Sequence, residues 1–236
     1  MKNQYFGDIN DYKKYGILRI LTDGGKIGCA VCWMLTENDG KTDGKFTDYL
    51  NKPFMWRKYD PELFDWLTNH FSKINSRDVL HTQHSGLLES CLFYSQTLTD
   101  NSEEREKYFS EFLVLSKDSD LIFFDPDNGV EVKSKPFGTK NSCKYLYWKE
   151  VMSAFEQGHS LLIYQHFSRI KRDEFVKATV LEIKAKMNAD TVISLRTSNV
   201  VFFLILQNHH NHIKNAASKI EERWGKHVLN VTEPTL

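Results

Sequence analysis

The sequence predicts an α/β protein, a Rossmann-like three-layer sandwich with a mostly parallel sheet and a C-terminal antiparallel hairpin. Short, uniformly apolar runs, which are typical of strands buried on both faces, alternate along the chain with amphipathic stretches at helical spacing. That alternation is typical of βαβ units, in which parallel strands have helices on both faces of the sheet. The last two apolar runs, 191–195 and 200–206, are separated by so few residues that we expect a hairpin between them.

Length and composition limit the classes of protein to consider. A chain of 236 residues, 41% of them hydrophobic, can bury one large core, so we expect a single domain over 1–236 with loop insertions near 36–60 and 84–102. No apolar run approaches the length of a membrane span and the first residues have no signal-peptide core, so we expect a soluble, cytoplasmic protein that binds no membrane. The formal net charge is zero, which argues against a global basic surface for nucleic acid.

Helix and strand signals follow one another in the first half of the chain. A helix is predicted over 9–21, where apolar residues recur at helical spacing after Asp8, a good N-cap. A buried strand, a helix with Pro in its first turn, a short strand and a helix with an acidic first turn follow; they cover 27–35, 60–71, 76–84 and 102–116. Cys29 and Cys32 point to opposite faces of the first strand, so we interpret them as core residues and not as a metal or redox pair.

Strands and helices alternate regularly in the second half. Buried strands are predicted at 121–124 and 160–167, with a helix over 144–157 between them. A charged helix that ends at Met187 comes next, then the hairpin, and a last helix around 213–224 closes the chain. This order is the one expected of a sheet with helices on both faces.

The most informative stretch is Leu121–Gly129, a short apolar strand that breaks into Asp-Pro-Asp-Asn-Gly. Pro126 cannot donate a hydrogen bond to a neighbouring strand, so the strand must end there, and the final Gly permits a positive φ. The carboxylates of Asp125 and Asp127 and the amide of Asn128 would then project from the carboxyl edge of a central strand, where open α/β sheets bind ligands. We therefore predict that these three residues are catalytic. The alternative is an ordinary β-turn, which the same residues suit.

Three segments together resemble a widespread group of small uncharacterised bacterial proteins that share the Asp-Pro-Asp-Asn-Gly motif: 6–15, 123–129 and 164–169. The likeness covers nearly the whole chain and implies no activity. More distantly, the arrangement is similar to class I S-adenosylmethionine-dependent methyltransferases, which have a parallel sheet ending in an antiparallel hairpin, and among them to small RNA adenine-N6 methyltransferases. This resemblance implies a methyltransferase-like enzyme that uses S-adenosylmethionine and acts on a nucleic acid or nucleotide.

The same resemblance implies roles for particular residues. In those enzymes a polar helical segment before the first strand helps to hold the cofactor. The matching residues here are Asp8, Asp11, Lys14 and Tyr15. Their Asp-Pro-Pro-aromatic motif binds the target amine and matches residues 125–128, although Asp and Asn replace the second Pro and the aromatic residue here. Thr36-Glu-Asn-Asp-Gly40 stands where a Gly-rich cofactor loop is expected, which makes Thr36 a further cofactor-binding candidate, and Asp78 is the candidate for an acidic ribose ligand.

Two other classes of function stay open. A metal-dependent phosphodiesterase or nuclease could use Asp125, Asp127 and nearby Glu131 as hard oxygen ligands for Mg²⁺. A catalytically inactive Rossmann-like binding module would explain the neutral net charge and the missing Gly-rich loop. If the two aspartates are neighbours, we also expect their like charge to raise the pKa of one of them. For the polar residues at 11–15 the alternative is a solvated helix face.

Basic residues follow the same two strands and predict a substrate-binding rim. They are Lys133, Lys135, Lys140, Lys144, His166 and Arg169. If both loops leave the carboxyl edge of a parallel sheet, these residues converge beside Asp125 and suit a phosphate-bearing nucleic acid or nucleotide. Tyr145, Tyr147 or Trp148 would be available for stacking on bases. The alternative is that the lysines solvate their loops and the aromatic residues belong to a helix's core side.

Overall fold

The computed structural model describes residues 1–40, 46–74 and 76–232, the last four of them by their backbone only. Within these residues the α-helices are α1 (Ile9–Leu21), α2 (Pro53–Trp56), α3 (Pro61–Lys73), α4 (Leu80–Gln83), α5 (Ser102–Ser116), α6 (Trp148–Glu156), α7 (Arg172–Met187) and α8 (Asn211–Trp224). Short 3₁₀ turns cover Asn3–Tyr5, Asp48–Asn51, Ser142–Lys144 and Gly225–His227. None of the described helices is both long and apolar enough to cross a membrane. Residues 41–45, part of the loop insertion predicted near 36–60, lie outside the described residues.

The strands are β1 (Cys29–Cys32), β2 (Cys91–Tyr94), β3 (Leu121–Phe124), β4 (Gly129–Val130), β5 (Tyr145–Leu146), β6 (Ser160–His166), β7 (Thr191–Arg196), β8 (Val200–Leu206) and β9 (Leu229–Thr232). The main sheet has the order β2-β1-β3-β6-β8-β7-β9, and β4 and β5 form a separate pair. The first four strands of that order are parallel neighbours, whereas β8 is antiparallel to both β6 and β7, and β9 is antiparallel to β7. This confirms the predicted α/β class with a mostly parallel sheet and a C-terminal hairpin. The edge strand β9 was not predicted.

The sheet has a hydrophobic core on each face because successive residues of a strand point to opposite sides. Cys29 and Val31 of β1 pack with apolar residues of α1, α3 and α8. Ala30 and Cys32 pack on the other side with those of α5, α6 and α7. The three-layer sandwich is thereby confirmed, and so is the interpretation of Cys29 and Cys32 as buried core residues with free thiols.

Several local predictions are confirmed at the level of single residues. Helices α1 and α5 have the predicted bounds. Asp8 is the N-cap of α1, since one of its carboxylate oxygens accepts hydrogen bonds from the backbone N–H groups of Asn10 at 2.8 Å and Asp11 at 2.9 Å. This cap fixes where the helix begins, and therefore where its first turn points.

The strand predicted at 76–84 is wrong, because residues Leu80–Gln83 form the short helix α4 and the second strand of the sheet is β2, inside a predicted loop insertion. Val79 and Thr82 are both almost fully buried and lie three positions apart, which is the spacing of a helical turn. In the sheet β2 pairs only with β1 and is an edge strand, so its apolar pattern is incomplete: Leu92 is 45% exposed.

The helix predicted over 144–157 begins later, at Trp148. Arg105 of α5 explains the difference. Its guanidinium donates hydrogen bonds to the carbonyl oxygens of Ser142 at 3.2 Å and Tyr145 at 2.6 Å. The Tyr145 carbonyl is therefore already engaged, and the Ser142 carbonyl accepts from the N–H of Tyr145 in a 3₁₀ turn, so a 3₁₀ turn and the short strand β5 precede α6.

Candidate functional site

A cavity of about 300 Å³ opens at the carboxyl edge of the sheet, between the first turns of α1 and the loops that follow β3 and β6. Its wall is formed by Met1, Tyr5, Asp8, Asn10, Asp11, Lys14, Phe46, Asp125, Pro126, Asp127, Asn128, Tyr164 and His166. Ligands of open α/β sheets bind at this edge, and small-molecule pockets are concave with a few convergent polar groups. The cavity is therefore the candidate functional site.

The loop after β3 leaves the sheet where the sequence predicts. The backbone N–H of Asp125 still donates to the carbonyl oxygen of Cys32 in β1, at 3.0 Å. Pro126 follows and has no N–H, so the ladder ends and the chain turns into the cavity wall. The side chain of Asp125 is thereby placed at the end of a central strand and is almost fully buried.

The same loop is fixed to β6 by Gln165. The side-chain oxygen of Gln165 accepts from the N–H of Val130 at 2.8 Å, and its nitrogen donates to the carbonyl oxygen of Asn128 at 3.2 Å. Gly129 has a φ of +112°, and a Cβ atom there would overlap the Gln165 amide. Only glycine therefore allows this approach of the loop to β6.

Lys14 of α1 lies at the bottom of the cavity between two carboxylates. Its Nζ is 2.7 Å from Asp11 Oδ1 and 2.7 Å from Asp125 Oδ2, and all three side chains are 2% exposed. Burial alone would lower the pKa of Lys14, but Asp11 and Asp125 raise it above its ordinary value, so Lys14 is an ammonium ion. Burial raises the pKa of Asp125, while Lys14 opposes that rise. One of the two aspartates thus has a raised pKa, as expected, but the cause is burial first and then the like charge of Asp11 in place of Asp127.

Asp11 also forms hydrogen bonds on the side away from Lys14. Its Oδ2 accepts hydrogen bonds from the N–H of Gly7 at 3.0 Å and from the hydroxyl of Tyr15 at 3.1 Å. Tyr15 was a cofactor-binding candidate, but it lies behind Asp11 and does not line the cavity. Because Asp11, Lys14 and Tyr15 are all buried, the alternative of a solvated helix face is wrong.

Asp127 forms a second ion pair beside the first. Its Oδ1 lies 2.8 Å from the amino group of Met1, and its Oδ2 accepts from the hydroxyl of Thr36 at 3.0 Å. Burial would raise the pKa of Asp127, but the Met1 ammonium group and these hydrogen bonds hold it below its ordinary value. Thr36, another cofactor-binding candidate, is thus connected to the cavity through Asp127 and is not part of its wall.

Asp8 differs from the other three carboxylates of the cavity. One oxygen caps α1, while the other, Oδ2, receives no hydrogen bond from any described residue, and no described cation forms an ion pair with it. Burial, and after it the negative charge of Asp11, raise the pKa of Asp8 to about 7. Oδ1 of Asn10, two residues on, is also buried without a hydrogen-bond partner among the described residues. Two acceptor oxygens of one helical turn therefore lack donors.

His166 and Tyr164 form the opposite part of the wall, at the end of β6. Their rings meet edge to face at a centroid distance of 5.1 Å. Desolvation by the surrounding protein lowers the pKa of His166, which favours the neutral imidazole ring. The predicted substrate-binding role of His166 is consistent with its place in the wall.

The other residues of the predicted rim, Lys133, Lys135, Lys140, Lys144 and Arg169, do not line the cavity. The loop that carries the lysines packs towards α6: Phe137 contacts Tyr147 edge to face, and the Tyr147 hydroxyl donates to the carbonyl oxygen of Lys135 at 2.8 Å. This face of the sheet is opposite to the one that α1 covers. Trp148 of α6 and Tyr147, which precedes this helix, are buried. They are therefore core residues and not stacking surfaces.

The acidic residues proposed for metal or ribose binding are dispersed. Glu131 lies near Lys186, Glu150 and Glu182, on the side of α6 and α7, and does not line the cavity. The Asp78 carboxylate accepts from the N–H of Leu80 at 2.9 Å, in the turn that leads into α4, and does not lie at the end of β2. Within the described residues, no group of three or more His, Cys, Asp or Glu side chains is arranged to hold a metal ion.

Of the cofactor-binding candidates that the resemblance gives, Asp8, Asp11 and Lys14 line the cavity, whereas Tyr15 and Thr36 do not. The residues that follow β1, Trp33–Thr36, are buried, and the segment Thr36–Gly40 stands where a Gly-rich loop is expected. Met34 adopts a φ of +46° with its side chain fully buried. None of residues 33–36 lines the cavity. The cavity lies between the first turn of α1 and the loops that follow β3 and β6.

Sequence reasoning missed five residues of the wall: Met1, Tyr5, Asn10, Phe46 and Tyr164. Two of them carry a signal that could have been used. Tyr164 lies two positions before His166 on a strand, so both point to the same face. Asn10 follows Asp8 on the first turn of α1. The remaining wall residues come from segments whose approach to the cavity depends on tertiary contacts.

A scan of the chain against models of known protein families finds no match, and a search of curated proteins finds no similar sequence. Function is therefore inferred from the site.

Proposed function

We propose that the protein is an enzyme, that the cavity is its active site, and that Asp8 exchanges a proton with the substrate there. The observation that supports this most strongly is the state of Asp8: its carboxyl group lines the cavity, forms no ion pair with a described residue, and has a pKa of about 7. A general base works best when its pKa is near the working pH, since it can then both take up and release a proton. Asp8 meets this condition at neutral pH.

Neighbouring groups support an acid–base site. The Lys14 ammonium group holds the Asp125 carboxylate in place at 2.7 Å and opposes the rise in its pKa that burial causes, so Asp125 would serve as a fixed hydrogen-bonding group. Neutral His166 can donate or accept a hydrogen bond on the other side of the cavity. Asn128 is held in place through Gln165 and would orient the substrate. Ionisable groups whose pKa values are shifted in different directions within one cavity are typical of acid–base catalysis.

Methyl transfer to an amine of a nucleic acid or nucleotide is the specific reaction that the resemblance implies. The acceptor half of that reaction has support, because residues 125–128 line the cavity, as the matching motif would around a target amine. The amine must lose a proton as it gains a methyl group, and Asp8 is placed to accept it. The cofactor half has less support, since the residues that follow β1, Trp33–Thr36, are buried and do not line the cavity. For methyl transfer we therefore propose only that the cavity binds the acceptor amine and that Asp8 takes up its proton.

The test is a product screen with a matched pair of variants. Wild-type protein is incubated with S-adenosylmethionine and with nucleosides, oligonucleotides and simple amines, and products are detected by mass spectrometry. For whichever substrate turns over, Asp8→Asn should lower kcat/KM by a factor of about 100 or more, because a positioned general base contributes on that scale. Asp118→Asn, at an exposed turn before β3, should have no effect.

An Asp8→Asn variant as active as the wild type would contradict the acid–base role. A cavity that binds ligands but yields no product with any compound of the panel would instead support the catalytically inactive binding module.

A further inference from the structure

Carboxyl groups outnumber cations in the wall of the cavity. Four carboxylates line it, those of Asp8, Asp11, Asp125 and Asp127. Lys14 is shared by two of them, and the Met1 amino group faces a third. Asp8 has no cation of its own among the described residues. A group with positive charge would gain from this field, whereas a phosphate or carboxylate group would be repelled by it.

Hydrogen-bond acceptors of the wall that have no donor among the described residues also favour a ligand with positive charge. Asp8 is 5% exposed, and its Oδ2 lacks a donor among the described residues; so does Oδ1 of Asn10. Buried polar atoms are nearly always hydrogen-bonded, to protein, to water or to a ligand, and Oδ1 of Asn10 is such an atom. Oδ2 of Asp8 is not fully buried and can accept a hydrogen bond from water or from a ligand in the cavity. A ligand that satisfies both must bring at least two N–H or O–H donors, which an ammonium or guanidinium group does.

Aromatic side chains complete the wall. Tyr5 and Tyr164 already have lysine ammonium groups near their rings, Lys2 at 5.6 Å and Lys14 at 5.1 Å from the ring centroids. Phe46 lies at the cavity and is 66% exposed. Aromatic faces attract cations, and exposed rings add apolar contact for the carbon atoms next to a charged nitrogen.

From the charge, the unpaired acceptors and the aromatic wall, we infer that the cavity takes the protonated amine or guanidinium end of an organic substrate, which donates hydrogen bonds to Asp8 and Asn10. This rests on the proposed function, which it makes specific: the substrate enters as a cation and Asp8 receives its proton. A volume of about 300 Å³ suits such an end group with a short carbon chain. Phosphate groups of a larger substrate would lie outside the cavity.

The experiment compares three compounds of the same length that differ in charge: 1,5-diaminopentane, 1,5-pentanediol and glutarate. Each is titrated into the full-length protein by calorimetry at constant ionic strength. We expect the diamine to bind at least tenfold more tightly than the diol, and glutarate to give no heat of binding. Agmatine, which has a guanidinium end, should bind like the diamine.

Variants show whether the diamine occupies this cavity. Asp8→Asn and Asn10→Ala should each weaken diamine binding roughly tenfold, the equivalent of one charge-assisted hydrogen bond. Asp118→Asn should leave it unchanged. Equal affinity for diamine and glutarate, no heat with any of the compounds, or diamine binding unaffected by both cavity variants would overturn the inference.

The outcomes for binding and for catalysis can be separated. Diamine binding that depends on Asp8, with no product in any turnover assay, would leave the inferred substrate class standing and remove the enzymatic function. Turnover of an anionic substrate that depends on Asp8 would support the enzymatic function and overturn the inferred substrate class.

Discussion

Lys14 and Asp125 are 111 positions apart in the chain, and their side chains form an ion pair of 2.7 Å that is almost completely shielded from solvent. Lys14 belongs to the first helix and Asp125 to the end of the central strand β3, so the pair joins α1 to the carboxyl edge of the sheet. Charges this deeply buried are tolerated only when they are paired. The shape of the cavity therefore depends on the ammonium group of Lys14.

Lys14→Met should destabilise the protein by about 3–5 kcal/mol, because it leaves Asp11 and Asp125 buried without a cation. The midpoint of urea unfolding should fall accordingly. Lys26→Met is the matched control, since Lys26 forms an ion pair with Asp23 at the same helical spacing but is 78% exposed. It should change the free energy of unfolding by no more than about 0.5 kcal/mol. Equal effects of the two substitutions would show that the buried pair has no special role.

Asp8→Asn should change how stability depends on pH. The pKa of Asp8 is about 7 in the folded protein against 3.8 for an unperturbed group, so between these values the folded state holds a proton that the unfolded state has lost. Stability of the wild type should therefore fall as pH rises from about 4 to about 7, by up to about 4 kcal/mol from this group.

Asparagine keeps the cap of α1 but has no proton to lose. The variant should thus lose less stability than the wild type between pH 5 and pH 8, and should be the more stable of the two at pH 8. Urea unfolding at both pH values measures this, with Asp118→Asn as control. The same fall in stability for Asp8→Asn and wild type would contradict the raised pKa.

Gly129→Ala should be clearly more costly than Gly24→Ala. Both glycines have a positive φ, so both substitutions strain the backbone by about 1 kcal/mol. At Gly24 nothing lies within 4 Å of the added Cβ, whereas at Gly129 it overlaps the Gln165 side chain. We expect an additional loss of about 1–3 kcal/mol at Gly129. If thermal unfolding shows equal losses at the two positions, the contact with Gln165 is not what fixes the loop.

Arg105→Lys should destabilise the protein although it keeps the charge. The Arg105 guanidinium is fully buried and donates to both oxygens of Glu150, at 2.6 and 2.9 Å, as well as to two backbone carbonyls. An ammonium group cannot reproduce that planar set of contacts, so we expect a loss of about 2–4 kcal/mol in urea unfolding. Lys107→Arg, in an exposed pair with Glu111, should be neutral. A neutral Arg105→Lys variant would disprove the importance of the bidentate contact.

The sequence predicts those parts of the site whose geometry is local. Pro126 ends its strand and Gly129 allows the turn because of their own covalent structure, and Asp8 caps α1 through hydrogen bonds within one helical turn. The loop after β3 and the first turn of α1 could therefore be placed before the structure was known.

The ion pairs of the site could not be predicted in this way. Asp11 and Lys14 are three positions apart on a helix, and so are Lys171 and Glu174, yet the first two are buried and the second two are 85% and 63% exposed. Spacing shows which side chains meet but not whether solvent reaches them. The position of the lysine loop could not be predicted from spacing either. The loop packs towards α6 and not towards α1 because Phe137 contacts Tyr147, a contact between side chains ten positions apart.

The packing of α1 on the sheet also determines how local opening of the protein affects the cavity. Helix α1 supplies Asp8, Asn10, Asp11 and Lys14 to the cavity, so a local opening that detaches it destroys the cavity while the parallel strands can stay paired. A ligand then binds only the closed form and raises the free energy of that opening by RT ln(1 + L/Kd), which grows with the concentration L of ligand. Amide hydrogen exchange of α1 and of residues 125–128 should slow together when ligand is added, whereas exchange in β7 and β8 should not change. The first helix thus acts as a reporter of occupancy, which allows ligands to be found by exchange measurements before any reaction is known.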